Sequence, residues 1–455
     1  MVPVDGTRSS RTESVCPVCL ARIPAIKRAL GQDLYLNKTC PEHGEFSAIL
    51  WKGEPSAASW GRPKIPCRPG GEGAATNKGC PFDCGLCPEH RQQTCTAVLE
   101  ITHSCDLRCP YCFADAGDGN CSDPDLSLIK LWYEALLASG NPCNIQLSGG
   151  EPSLRDDLPE IVSMGRDKGF SFIQLNTNGL RLARDPSFVE RLKQAGLASV
   201  FLQFDGTEDE IYRELRGLPL LQTKLKAIRN CEQHGLGVVL VPTVVPGVNT
   251  HNIGEITRFA LENISVVRGV HFQPVSYFGR YPQPPSDADR LTLPELIRLL
   301  EAQTSGLIKA GNFKPPGCEN AMCSFHGNFV LMPDGALVAL TRHQPADSCC
   351  GPASAAEGAS MTRAFVAEHW AAAKKCKCES EGGQFSLGQW DVLLERSQTH
   401  MLCVSAMAFQ DAWNLDLDRL RDCCIHAVAR DGKLIPFCAY NLTDSQGGSL
   451  YRSRC

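Results

Sequence analysis

The sequence predicts an α/β protein: a partial (β/α)6 barrel of TIM type, with cysteine-rich metal-binding segments before and after it. Two observations predict it. Between about residues 96 and 310, apolar runs of strand length alternate six times with amphipathic stretches at helical spacing, the signature of a parallel sheet with crossover helices. Outside that window lie most of the 25 cysteines, among Pro, Gly and charged residues that cannot build a large apolar core of their own. A length of 455 residues exceeds what one core organises. We therefore divide the chain into 1–95, a cysteine-rich N-terminal region, 96–310, the barrel, and 311–455, a second cysteine-rich domain.

Composition narrows the function classes. The formal charge of -5 is spread along the chain without a basic block, so nothing points to a nucleic-acid partner. No apolar stretch reaches the ~18 residues of a membrane span, and Met1–Ser14 lacks an apolar signal core. The expected location is cytoplasmic, with peripheral membrane contact left open. In that setting cysteines read as metal ligands before disulfides.

The expected strands are Val98–Thr102, Asn144–Ser148, Phe172–Thr177, Val200–Phe204, Val238–Val244 and Gly269–Gln273, apolar runs of strand length that recur before helical patterns. Expected helices are Leu126–Leu137, Leu158–Asp167, Phe188–Ala195, Leu220–Gln233, Ile253–Glu262 and Pro294–Lys309. Pro352–Ala359, made of small residues, reads as a loop within the insertion-like stretch Arg342–Lys375.

Reactive groups of a parallel barrel collect on loops at the C-terminal strand ends. The first strand runs into Cys105, Cys109 and Cys112, a C-x3-C-x2-C triplet. Three thiolates fall one short of a closed tetrahedral shell, so a metal held here keeps a position for chemistry. After the second strand comes Gly149-Gly150-Glu151-Pro152, where paired glycines permit close backbone approach and Glu151 is an acceptor for an ammonium group. Asn176 follows the third strand; Gln203 and Asp205 follow the fourth.

Other cysteines suggest further metal sites. Cys16, Cys19 and Cys40 form two knuckles of a ribbon, with His43 or Cys67 as fourth ligand and iron or zinc as metal. Cys80, Cys84 and Cys87 repeat the triplet spacing, and Cys95 completes four thiolates for a closed cluster. Cys403, Cys423, Cys424 and Cys438 make a further quartet, with Cys318 and Cys323 as competitors. Cys349-Cys350 and Cys376-x-Cys378 read as surface or metal thiols alike, and Cys121, Cys143 and Cys231 as packing.

The triplet and the Gly-Gly-Glu-Pro turn, each after its own strand, resemble the radical S-adenosylmethionine enzymes over about residues 96 to 280. That resemblance implies a 4Fe-4S cluster on Cys105, Cys109 and Cys112, and S-adenosylmethionine chelated to its open iron. It places Tyr111 near adenine, Gly149, Gly150 and Glu151 at the methionine amino group, and Asn176, Gln203 and Asp205 among the remaining cofactor or substrate contacts. The N-terminal CPVC and CPEHG, the GCPFDCGLCPEH run and the tail segments Met407–Asn414, Cys424–His426 and Ile435–Asn441 are similar to the subgroup of tetraether lipid synthase and a 7,8-dihydro-6-hydroxymethylpterin methyltransferase. The subgroup implies auxiliary 4Fe-4S clusters, a rubredoxin-like mononuclear iron, an external electron donor such as ferredoxin or flavodoxin, and C–C bond formation at an unactivated sp3 carbon.

Lipid alkyl chains are the preferred substrate, which would need an apolar tunnel lined by residues such as Phe272, Tyr277, Phe325, Phe329, Met407, Phe409 and Trp413. The alternative is methylation of a pterin precursor in a compact pocket with convergent polar groups, Asn414, Asp416 or Asn441 among them. A peptide-modifying radical enzyme and a zinc-rich scaffold without catalysis are the remaining readings.

Overall fold

The computed structural model describes residues 9–61, 64–69, 75–117, 122–140, 142–343, 353–373 and 388–452. Its largest sheet contains the six barrel strands Thr96–Thr102, Asn144–Gly149, Ile173–Thr177, Ser199–Gln203, Gly237–Val241 and Val267–Pro274, side by side in chain order and all parallel. Each lies within a few residues of its expected place. Period-two alternation sorts their side chains. Leu99, Ile145, Leu147, Leu175, Val200, Leu202, Leu240 and Phe272 pack outward into the main core; Val98, Gln146, Gln174, Phe201, Gln203 and His271 point into the lumen.

Residues beyond 311 extend this sheet at both edges. Met401–Met407 runs parallel to the sixth strand, and Ile425–Val428 parallel to the first. Eight parallel strands thus line the lumen among the described residues, two more than the alternation pattern implied. Met401–Met407 carries a strand signal in its apolar run and directly follows the helix Gln389–Thr399, but it lies far along the chain from the six regular repeats. Ser324–Leu331 and Leu434–Pro436 add antiparallel strands outside these.

The helices between barrel strands follow from caps and amphipathicity. Leu126–Ala138 begins at Asp125, whose carboxylate accepts from the N–H of Leu128, and buries Ile129, Trp132, Tyr133 and Leu136. Leu293–Gln303 starts with a reciprocal Thr292/Glu295 capping box and Pro294 in its first turn; it stops short of the expected Lys309. One expectation fails outright in the described part of Pro352–Ala359, where Ala355 opens a helix to His369. Ala, Glu and Met dominate after Ser354, and their helix propensity outweighs the small-residue reading.

The N-terminal region is more regular than its composition suggested. Four antiparallel strands, Ser9–Val15, Arg22–Leu30, Asp33–Cys40 and Gly44–Trp51, pair in chain order. In Arg22–Leu30 the buried Ile23 and Ala25 alternate with exposed neighbours, a period-two signal too short to stand out among prolines and charges.

Candidate active site and metal centres

A cavity of about 900 Å³ occupies the barrel lumen, with Cys105, Cys109, Cys112, Tyr111, Gly149, Gly150, Glu151, Asn176 and Gln203 in its wall. The structure therefore brings the strand-end candidates together, except one. Asp205 is fully buried and absent from the wall. Its two oxygens accept from Arg216 at 2.7 and 2.8 Å and one also takes a short bond from Gln203. Arg216 stands in the wall instead. Asp205 thus positions a cation, a role that the single-residue reading could not show because Arg216 lies on a later helix.

The paired glycines answer to backbone crowding. A Cβ on Gly149 would lie 2.2 Å from the carbonyl oxygen of Thr102, and one on Gly150 2.1 Å from that of Ser104. The Gly150 N–H donates to Thr102 O and the Glu151 N–H to Ser104 O, at 2.9 and 2.8 Å. The second strand end is thereby zipped to the cysteine loop. Glu151 is 1% exposed, and its carboxylate accepts from Thr177 Oγ1, Ser153 N and Asn178 N at 2.7, 3.0 and 2.6 Å. Burial still pushes its carboxyl above the usual range, with those donors opposing.

Further contacts hold the cysteine loop. Asn178 Nδ2 donates to Asp106 Oδ1 at 2.6 Å. Arg280 donates to Cys109 O and Ala116 O, both at 2.9 Å, and exchanges backbone bonds with Cys112. Lys224, fully buried, donates to Asn178 O and Gln203 Oε1; burial lowers its pKa to about 8. From below, Arg452 pairs with Glu100 and donates to Asn441 Oδ1 at 2.6 Å. Tyr111 packs edge-on to Tyr277 at 6.4 Å.

The group expected here fits the residues present. Three half-buried thiols from one loop face the cavity, and the buried Asn176 Oδ1 in the same wall has no protein partner. A soft three-thiolate donor set suits iron, and an unsatisfied acceptor suits a bound polar ligand.

Deeper in the lumen the strands present amides. Gln146 Nε2 donates to Gln174 Oε1 at 3.0 Å, and Gln174 Nε2 to Ser199 Oγ at 3.2 Å. His271 Nδ1 lies 2.9 Å from Ser405 Oγ, and burial lowers its pKa to about 4, keeping the ring neutral. Phe201 stacks on Trp370 at 5.7 Å. Of the residues named for an apolar tunnel, Phe325, Met407 and Phe409 line the cavity, whereas Phe272, Phe329, Tyr277 and Trp413 do not. Asn414, Asp416 and Asn441 are also outside it: Asn414 Oδ1 accepts from Asp411 N, Asp416 pairs with Lys27, and Asn441 binds Arg452.

The flanking cysteines regroup. Cys16, Cys19, Cys40 and His43 place their ligand atoms within 4.8 Å of one another, so His43 fills the fourth place. Cys67 accepts from Gln93 instead. The thiols of Cys80 and Cys84 meet, with Cys87 near Cys80. The expected fourth member, Cys95, sits apart with Cys318 and Cys424, because it immediately precedes the first barrel strand and its N–H is bonded to Cys424 O at 2.8 Å. The second expected quartet divides as well. Cys424 joins Cys95, and Cys403 lies in the wall of the lumen, its thiol pushed up to about 12 by burial. Cys423 turns away from Cys424, as successive residues of an extended segment do; its neighbours are Cys438 and Cys323. Cys143 and Cys231 are buried. Cys121, Cys349, Cys350, Cys376 and Cys378 lie outside the described residues.

Residues 99–260 match the model of the radical SAM superfamily, and residues 9–52 that of the HMPTM N-terminal zinc ribbon domain. The chain is 35% identical to the 7,8-dihydro-6-hydroxymethylpterin dimethyltransferase of Methanocaldococcus jannaschii, over 96% of this chain and 94% of that protein. It is 31% identical to the Fe-coproporphyrin III synthase of Methanosarcina barkeri, over 40% of this chain and 44% of that one. Among solved structures it is similar to Streptococcus suis SuiB bound to precursor peptide SuiA, at 18% identity and a TM-score of 0.41, covering 48% of this chain and 46% of that chain. Among the described residues, no helix is long and apolar enough to cross a membrane.

Proposed function

From the premise that this chain belongs to the radical SAM superfamily, in the family of the pterin dimethyltransferase, we propose that it forms a carbon–carbon bond by methylating a pterin-type heterocycle held in the barrel lumen. It is a radical SAM enzyme, using a 4Fe-4S cluster and S-adenosylmethionine, and it needs an electron donor. When bound, that pair supplies a carbon-centred radical able to take hydrogen from an unactivated carbon.

The observation that carries the substrate reading is the amide lining. Gln146, Gln174, Asn176 and Asn328 converge on one cavity with the neutral His271, a donor and acceptor set matched to the ring edge of a pterin. Phe201 and Trp370 offer aromatic faces for a flat ring. The chain's own groups would divide the work. Cys105, Cys109 and Cys112 would hold the cluster; Gly149, Gly150, Glu151 and Asn176 would hold the cosubstrate. Arg216 and Lys224 place positive charge beside Cys109, where it favours anionic groups of the cosubstrate.

The lipid reading retains one supporting observation, the apolar stretch of wall made by Phe325, Met407 and Phe409. One experiment separates the two. Anaerobically reconstituted protein is given a low-potential reductant, excess S-adenosylmethionine to serve as radical source and, in a second molecule, as methyl donor, and either 7,8-dihydro-6-hydroxymethylpterin or a dialkyl glycerol lipid, and 5′-deoxyadenosine and products are followed by mass spectrometry. We expect a methylated pterin, lost in Cys105→Ala and reduced at least tenfold in Gln174→Leu. Coupled lipid with no pterin product would overturn the substrate reading, and absence of 5′-deoxyadenosine above the Cys105→Ala background would sink the chemistry.

A further inference from the structure

The polar wall of the lumen has a direction. Ser199 Oγ lies 3.4 Å from the carbonyl oxygen of Gly237, an atom that can only accept, so the serine donates its one hydroxyl hydrogen there. Its oxygen must then accept from Gln174 Nε2 at 3.2 Å, and Gln174 Oε1 from Gln146 Nε2 at 3.0 Å. The order of donors is thus fixed from the far end of the chain. Gln146, at its near end, keeps an Oε1 that no described residue bonds, in the wall of the cavity.

Another part of the wall is fixed in the opposite sense. Ser405 Oγ bonds His271 Nδ1 at 2.9 Å and no other described group. A hydroxyl hydrogen inside a protein needs an acceptor, and Nδ1 is the one within reach. Nδ1 therefore accepts, and the ring, which burial keeps neutral, carries its hydrogen on Nε2. No described protein group bonds Nε2.

The two groups stand across the lumen at one level. Gln146 lies three residues before the strand end Gly149, and His271 three before the strand end Pro274. Their strands are four places apart in the order of the eight parallel strands, and a barrel of that size encloses one small ligand between its walls. Phe201 and Trp370 flank the imidazole, with ring centroids at 5.4 and 5.9 Å. A flat ring lying on these faces meets an acceptor on one side and a donor on the other.

Resting on the pterin reading above, we propose that the lumen recognises a 2-amino-4-oxopyrimidine edge, with Gln146 Oε1 accepting from the amino group and His271 Nε2 donating to the carbonyl oxygen. Those two substituents diverge from such a ring and so reach separate walls. Ser405 and Gln174 are positioning residues, since each fixes the polarity of the group that touches the ring. A 2,4-diamino ring sets an amino group against the His271 hydrogen. A 2,4-dioxo ring sets an oxygen against Gln146 Oε1. Each mismatch leaves a desolvated polar group unpaired, which discriminates more strongly than a missing apolar contact.

The test is titration calorimetry of the full chain after anaerobic reconstitution, with 7,8-dihydro-6-hydroxymethylpterin and its 2,4-diamino and 2,4-dioxo counterparts. The unaltered protein should bind the first tighter than the other two by about tenfold or more. His271→Phe should weaken the pterin about tenfold and leave the 2,4-diamino ring as before, which a misfolded lumen would not do. Ser405→Ala should narrow the same preference, and Gln146→Met the preference over the 2,4-dioxo ring. Equal binding of all three by the unaltered protein, or a full preference kept in His271→Phe, would overturn the edge assignment and leave the pterin reading standing. Binding of none of the three, with 5′-deoxyadenosine still formed in the presence of the lipid, would overturn both.

Discussion

Gly150→Ala tests whether the Gly-Gly-Glu turn serves the cysteine loop through the backbone. The added methyl carbon would sit 2.1 Å from Ser104 O and 2.9 Å from His103 O, where about 3.2 Å is the closest comfortable approach. One segment must retreat by about 1 Å. That movement breaks the bonds from Gly150 N to Thr102 O and from Glu151 N to Ser104 O, each worth about 0.5–1.5 kcal/mol net. Overpacking adds about 1–3 kcal/mol, so the loss is about 4 kcal/mol. The assay is urea denaturation of the metal-free chain, with cluster iron and 5′-deoxyadenosine measured on reconstituted protein. We expect a lower midpoint and loss of cosubstrate cleavage together. Gly117→Ala is the control, since a Cβ there meets nothing within 4 Å. If Gly150→Ala matched Gly117→Ala in stability and cleavage, the zipper argument would be refuted.

Two further predictions follow from buried charge. Arg452→Met leaves Glu100, 5% exposed, without its ion-pair partner; this should cost about 3–5 kcal/mol, and Glu100→Gln in the same chain should restore much of it. A denaturation midpoint for Arg452→Met equal to that of the parent would contradict this. His271 is neutral in the fold, its pKa lowered by burial to about 4, whereas an unfolded histidine titrates at about 6.5. The unfolded chain therefore takes the proton first, and stability present above pH 6.5 falls by about 3 kcal/mol as the pH drops to 4. His271→Gln should flatten that part of the pH–stability curve, and parallel curves for the two proteins would rule the assignment out.

The barrel and its mouth were legible because they rest on local pattern. Strand-length apolar runs, and polar residues just after them, need only the neighbouring sequence to be read. What escaped depends on residues far apart in the chain. Asp205 reads as a free polar strand end until Arg216 closes on it, and Cys95 reads as the fourth thiol of Cys80, Cys84 and Cys87 until its peptide N–H is bound by Cys424. Spacing motifs assume that ligands lie near each other in sequence. Cys95 and Cys424 are brought together by the pairing of the strands that follow them, and Cys318 reaches them from a loop. The helix from Ala355 was hidden for a simpler reason, since small residues serve a loop and a tightly packed helix equally well.

That pairing also bears on how the protein is assembled. Ile425 aligns with Thr96 and Cys403 with Gly269, so both edges of the barrel sheet stay unpaired until residues far along the chain arrive. Such long-range closure is slow, and an open edge is prone to mispairing in the meantime. Loading iron early would leave it on a loop that Arg452 has yet to brace. A chain built this way is expected to accept its metal late, and to depend in the cell on whatever shields the unfinished sheet.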